Sequence, residues 1–530
     1  MDPASRLPPE LVTIVLNYLG QPDVLRAARI SPRWRAIAIS HPSFYAHLVF
    51  DDYADLVSDD YASSAHFEAF CLDVAYVVER NVRISLHVAL DSVTTIRPYT
   101  KTWLDGAVQV ARSLLQACPF IVRLRLVTPC LEHLQDALDE LLVHPYERIH
   151  NTLDDLLQQP LPLLEFIDLT LVRDGNHDAR PLPSSFLGGR APKLRRLVLS
   201  GYSLAPSTPG VEYSFPRLRT FALDNARCAL LNVAERFPAL VELSCSSTEF
   251  IPADSVGFHK LFPRLKHLDV QPLPGSPLPW TNAEQTAQIA SVSYQLRVPL
   301  RPHTEFEEPP LQLVRCIQAP ARLKILKVAG LRPKMHIRIK GGGFTRTFVH
   351  ELTKKYEHNW PPLKGLVASL GERITHICIN WQCLRYYASS TWPPGPVRRI
   401  EVDLTDIRRS DDHLFNYDMH SRHTTTADAE LDEFDLHVAS LRVPLPQSPY
   451  GTSLVELALS SRRGSSIWFP AHKVLELMRL LELHLVRRMT LVVTHGVVIE
   501  PEDVELLLVV FVDVQSSCTC TACINKQSST

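Results

Sequence analysis

Leu194-Arg195-Arg196-Leu197-Val198-Leu199 opens a phrase that the chain repeats three more times. It returns as Leu218-Arg219-Thr220-Phe221-Ala222-Leu223, as Leu240-Val241-Glu242-Leu243-Ser244-Cys245 and as Leu265-Lys266-His267-Leu268-Asp269-Val270. The starts lie 24, 22 and 25 residues apart, a period typical of stacked repeats made of one strand and one connector. Each phrase runs apolar, two variable residues, apolar, one variable, apolar. Its alternating tail suits a strand with one buried face, because successive side chains point to opposite sides.

Looser copies flank these four. Ile121–Leu126 and Leu164–Leu169 precede them; Leu323–Val328, Ile374–Ile379, Val397–Val402, Leu454–Leu459 and Leu480–Leu485 follow. Helix-like pieces such as Thr102–Cys118 and Cys228–Arg236 lie between phrases. The pattern predicts an α/β solenoid with parallel strands on its concave face and helices and loops on its convex face. Its expected span is residues 119–486, after a helical linker or cap at 51–118 and before a C-terminal segment at 487–530. The 41 prolines against 19 glycines agree with many short elements, since proline fixes φ and removes a donor. Residues 172–192, 271–310 and 406–450, rich in polar residues and proline, read as loop-like insertions.

The first fifty residues follow another pattern. Pro8 and Pro9 suit the first turn of a helix. Behind them Leu11, Ile14, Val15 and Tyr18 fall on one helical face. Gly20-Gln21-Pro22 stops that helix, Asp23 is placed to cap a second, and Ser31-Pro32 starts a third that carries Trp34, Ile37 and Ala38. Three short helices hide little apolar surface by themselves, so another part of the chain or a partner must cover the rest.

This stretch resembles the F-box. The family's landmarks fall in order and without a gap as Leu7, Pro8, Glu10 and Leu11; Asp23 and Val24; Ile30 and Ser31; Arg33, Trp34 and Arg35; and Pro42, Phe44 and Tyr45. The repeat region is similar to the irregular leucine-rich-repeat regions behind F-boxes, especially in the large fungal F-box families. It departs from the regular pattern, because the Asn or Cys after the strand is only loosely seen, as at Asn225 or Ser246. The resemblance implies an F-box at 1–50 that docks a Skp-type adaptor, and through it a cullin scaffold. Leu7, Pro8, Leu11, Ile14 and Val15 would face the adaptor. Leu25, Ile30 and Trp34 would pack the helices together and contribute to the same surface. The repeat region would hold a target protein. The implied role is substrate recognition in a cullin-type (SCF) E3 ubiquitin ligase. The alternatives are an adaptor-binding scaffold outside a ligase, and an enzyme with an unrecognised site in residues 100–515.

Other classes find little support. Lys and Arg number 55 against 57 Asp and Glu, for a net charge of -2, so no overall basic character points to nucleic acid or to an anionic membrane. No secretory signal is evident at Met1–Val12. The most apolar run, Leu491–Val514, is broken by charged residues. The 11 scattered cysteines suggest reduced thiols and a cytoplasmic or nuclear location. Cys518, Cys520 and Cys523 are one ligand short of a structural zinc site. Lys340-Gly341-Gly342-Gly343 has its Lys on the wrong side for a P-loop and reads as a turn. The expectation is therefore no cofactor, no metal and no catalysis by this chain. Trp360, Trp381 and Trp392 could form a recognition patch if they line the strand face, although aromatics in such a pattern are more often core.

Overall fold

The computed structural model describes residues 7–51, 61–90, 101–129, 140–172, 179–204, 215–224, 227–251, 258–272, 286–296 without 287, 311–328, 334–351, 361–383, 396–404, 454–461, and 467–516 without 482, 484, 485, 487 and 495. The chain divides into two units, residues 1–281 and 282–530.

The first unit begins with α1 (Pro9–Asn17), α2 (Gln21–Ala27) and α3 (Pro32–Ser40). Among the described residues, the strands of its main parallel series follow: β1 (His47–Asp51), β2 (Ile84–Ala89), β3 (Ile121–Pro129), β4 (Phe166–Val172), β5 (Arg196–Ser200), β6 (Thr220–Asp224), β7 (Glu242–Ile251) and β8 (His267–Pro272). Each pairs in parallel with the next in chain order. Parallel neighbours need a crossover. Helices α4 (Tyr61–Arg80), α5 (Lys101–Ala117) and α6 (Glu140–Gln158) supply the first three, with α4 packed on α5 and α5 on α6.

From β4 onward one turn starts every strand. The amides of Leu164, Leu194, Leu218, Leu240 and Leu265 donate to the carbonyls of Leu161, Ala191, Phe215, Phe237 and Phe262 at 3.0–3.2 Å. Pro162, Pro192, Pro216, Pro238 and Pro263 hold the second position, where a fixed φ suits the turn. The first and last residues of every turn are buried. One residue later the strands lock together. The amides of Arg195, Arg219, Val241 and Lys266 donate to the carbonyls of Glu165, Arg195, Arg219 and Val241 at 2.8–2.9 Å. Register is thereby fixed, and Leu124, Ile167, Leu197, Phe221, Leu243 and Leu268 form one buried row. Leu126, Leu169, Leu199, Leu223, Cys245 and Val270 form a second.

The second unit holds β9 (Ser291–Leu296), β10 (Ala321–Val328), β11 (Lys334–Gly341), β12 (Phe344–Glu351), β13 (Ile374–Asn380), β14 (Arg399–Asp403), β15 (Glu456–Ser460), β16 (Thr490–Val493) and β17 (Asp513–Ser516). Their spatial order is β9, β12, β11, β10, β13, then chain order to β17. Pairing is parallel throughout except across β11, which runs antiparallel to β10 and β12. Gly342 and Gly343 form the two-residue loop between β11 and β12 with φ +59° and +83°, the left-handed values a tight hairpin needs. The triple glycine is thus a hairpin turn.

This inserted meander is stapled by Arg346 of β12, which is fully buried. Its Nε donates to the Leu313 carbonyl at 3.0 Å, Nη1 to Ile289 at 2.9 Å and Nη2 to Thr286 at 3.2 Å. One guanidinium therefore satisfies the segment leading into β9 and the turn before β10. Arg373 clamps that second turn from the β13 side, donating to the Ile317 carbonyl at 2.9 Å and the Val314 carbonyl at 3.2 Å.

Several expectations need correcting. Residues 51–118 are more than a helical linker, because β2 joins the same sheet as β1 and β3, so the strand series starts at His47. The stretch 271–310 contains β9, and the 487–530 segment carries β16 and β17 in parallel register. Leu480 closes the helix Ala471–Leu480, and pairing resumes at Thr490 in place of the expected strand at Leu480–Leu485. Asp23 sits in the first turn of α2 and pairs with Arg26 at 3.0 Å, while Gly20 takes the cap position. The 406–450 stretch lies outside the described residues, as do 173–178 of the stretch at 172–192, whose remainder includes the short strand Arg180–Pro181.

Replacing Arg346 by Met should leave several interior carbonyls without donors. The expected loss is about 3 kcal/mol or more, read as a lowered urea midpoint of the full-length protein.

Candidate partner-docking surface

Helix α1 is apolar on two sides, and only one of them is used internally. Val12 and Leu16, one turn apart, are 1% and 0% exposed and pack with Val24, Ala27, Ala28, Trp34 and Ala38. On the other side Leu11 is 47% exposed, Ile14 50%, Val15 43% and Tyr18 86%. The i, i+3, i+4, i+7 spacing makes those four neighbours on one helical stripe. Contiguous exposed apolar surface of this kind marks an interaction site.

The scaffold under the stripe is held by specific bonds. The Ser31 hydroxyl caps α3 by accepting from the Trp34 amide at 3.3 Å. Trp34 fills the small core, and its two basic neighbours tie the helices together from outside. Arg33 donates to the Leu7 carbonyl at 2.6 Å and Arg35 to the Ala28 carbonyl at 3.2 Å. His41 accepts from the Ser43 amide through Nδ1, so its Nε2–H is free to donate to Asn17 Oδ1 at 2.9 Å. Burial pushes the His41 pKa down, in keeping with that neutral tautomer.

The three helices are also fastened to the sheet. Gln21 Nε2 donates to the Phe44 and His47 carbonyls, both at 2.8 Å, tying α2 to the entry of β1. The Tyr45 ring lies 4.4 Å from that of Tyr76 in α4, and the Tyr76 hydroxyl donates to the Ser40 carbonyl at 3.2 Å.

Of the residues expected to meet a partner, Leu7, Pro8, Leu11, Ile14 and Val15 are exposed, and so are Leu25 and Ile30. Trp34 is interior, so it supports the surface from beneath and does not extend it. Leu25 and Ile30 likewise do not pack the helices together; that role belongs to Val24, Ala27 and Ala28. Exposed Ile39 on α3 carried no family landmark and was not anticipated. Tyr18 was visible as the fourth member of the helical face.

The outward strand face is polar in both units. In the second, charges converge on Glu401 of β14. Its carboxylate accepts from Arg322 at 2.9 Å, Ser460 at 3.0 Å and His376 at 3.3 Å. Burial alone would push this carboxyl up, but the His376 bond, the Arg322 charge and the Ser460 bond reverse that and bring its pKa to about 2. Lys324 and Asp403, both nearly buried, lie 3.8 Å apart. Burial pushes the Cys378 thiol between them up to about 12. Near neutral pH the Glu401 carboxylate is therefore ionised and bonded and the Cys378 thiol protonated, an arrangement suited to fixing strand order.

Trp381 is buried, so it supplies no recognition surface. Trp360, Trp392, Cys518, Cys520 and Cys523 lie outside the described residues. No described helix is long and apolar enough to cross a membrane.

Comparison with known families matches residues 4–51 to the F-box-like family. That span covers α1 to α3 and ends on β1. No curated protein matches the chain.

Two outcomes follow from this geometry. Leu11→Asp with Ile14→Asp should together shift stability by no more than about 1 kcal/mol, as expected of two exposed positions, whereas Leu16→Ala should cost roughly 2–5 kcal/mol; chemical denaturation distinguishes them. Glu401→Gln should destabilise the protein on the order of 2 kcal/mol at neutral pH. The depressed pKa makes this stabilisation complete above the unfolded value of 4.5 and lost as pH falls toward 2, so denaturation curves of the two proteins should converge in acid.

Proposed function

We propose that this protein is the substrate-recognition subunit of a cullin-type (SCF) ubiquitin ligase, built on its F-box-like domain. The uncovered stripe Leu11, Ile14, Val15 and Tyr18 carries the reading, since four large apolar side chains on one helix have no use in the domain's own core. Leu7, Pro8, Leu25 and Ile30 extend the adaptor-facing surface, with Trp34 as its internal support. Aromatic and aliphatic anchors ringed by polar residues are the usual energetic centre of an interface, and Arg26, Arg29 and Arg33 supply such a rim.

Behind the F-box the strand series acts as an irregular leucine-rich-repeat solenoid that presents a target protein. The 22- to 25-residue steps and the parallel one-strand repeats support this. The chain works by placement. Adaptor and target are held on one body, which raises the effective concentration of the target near the ubiquitin-carrying enzyme. Bond-making belongs to the other subunits, and no cofactor is required of this one.

Pull-down with recombinant Skp-type adaptor tests the proposal. The wild-type chain should retain adaptor, and cullin in its presence. The Leu11→Asp, Ile14→Asp variant, shown folded by its unfolding transition, should retain neither. Equal retention by both proteins overturns the assignment.

A further inference from the structure

The repeat turns of the first unit carry a second, unabsorbed pattern. Third positions of successive turns are Lys193, Arg217, Ala239 and Arg264. The residues that lock each strand to the one before are Arg195, Arg219, Val241 and Lys266. All six cations are exposed, and none takes an ion pair or a side-chain hydrogen bond among the described residues. Both rows run along the same end of the sheet, where the strands begin, because turn and register repeat from β5 to β8. Arg196 adds an exposed guanidinium 5.5 Å over the Phe166 ring.

Such stacking costs stability. Adjacent strands lie about 4.8 Å apart, so Lys193 faces Arg217 and Arg195 faces Arg219 as like charges at the starts of neighbouring strands, an unfavourable arrangement. The buried rows and the turn bonds do not need these cations. An overall charge of -2 makes their concentration on one edge a local asymmetry.

We propose that this basic ridge, from Lys193 to Lys266, docks an acidic, extended peptide segment of the target protein. Three strand steps span about 14 Å, roughly four or five residues of extended chain at about 3.3 Å each. The cations before β5, β6 and β8 can therefore meet spaced carboxylates of one short segment, the β7 step contributing none. Nucleic acid fits less well. The ridge ends at Glu165, and at the start of β7 Ala239, Val241 and Glu242 break it, so no unbroken row of cations tracks a continuous phosphate backbone. The inference deepens the proposed function, on which the word target rests.

Fluorescence anisotropy with the full-length protein tests it. The probes are a labelled peptide of roughly twelve residues alternating Glu with Ser, its Gln counterpart, and a single-stranded DNA of similar length. The Glu peptide should bind, weaken as salt rises, and lose about tenfold or more in affinity with Arg195→Glu, Arg217→Glu and Arg219→Glu combined. The Gln peptide should not bind. Leu11→Asp with Ile14→Asp should bind the Glu peptide normally, and the charge-reversed variant should still retain adaptor, so failure of the ridge and failure of the adaptor surface are told apart. Equal binding of Glu and Gln peptides, tighter binding of DNA, or charge reversal without effect overturns the proposal.

Discussion

The hydrogen bond closing each proline turn sets the terms for the first unit's repeats. It brings a buried residue at either end of the turn to the same depth, as Phe215 and Leu218 show. It also delivers the next amide to the carbonyl of the neighbouring repeat. A parallel ladder slipped by one residue would send each strand's apolar pair to the opposite face. The turn and the lead-in bond together prevent that slip. The core is then simply the accumulation of equivalent positions, two from every turn and two from every strand.

The amino-terminal helices obey a different constraint. Their interior is tiny, seven residues including Trp34, and polar ties between segments reinforce it. Arg33, His41 and Gln21 each reach a group more than twenty residues along the chain, and Arg35 ties α3 back to the end of α2. Because those ties continue into β1 and α4, the docking stripe and the start of the sheet belong to one mechanical piece.

Much of this was legible in the sequence. Ten of the eleven repeat phrases fall on strands, and the helix boundaries at Gly20 and Ser31 fall where glycine, proline and serine place them. What could not be read has identifiable causes. Helix α1 is apolar around most of its circumference, so periodicity alone did not say that Val12 and Leu16 face inward while Leu11 and Ile14 do not. Leu25 and Ile30 look like core residues until the smaller Ala27 and Ala28 are seen to take that place. Strand β2 was hidden by the long helices on either side of it. Arg346 gave no signal at all, because a buried arginine that bonds only to carbonyls and a thiol has no sequence partner to find.

The meander in the second unit has a topological lesson. Strands β10, β11 and β12 reverse direction twice, so their two outer members share a heading. Both flanks can accept a parallel neighbour, and β9 and β13 do so. Parity decides whether such an excursion is tolerated: an odd number of hairpin-linked strands leaves the polarity of the sheet intact, and an even number would present one edge facing the wrong way. An array of one-way repeats can therefore grow by three-strand folds without any later repeat having to turn around.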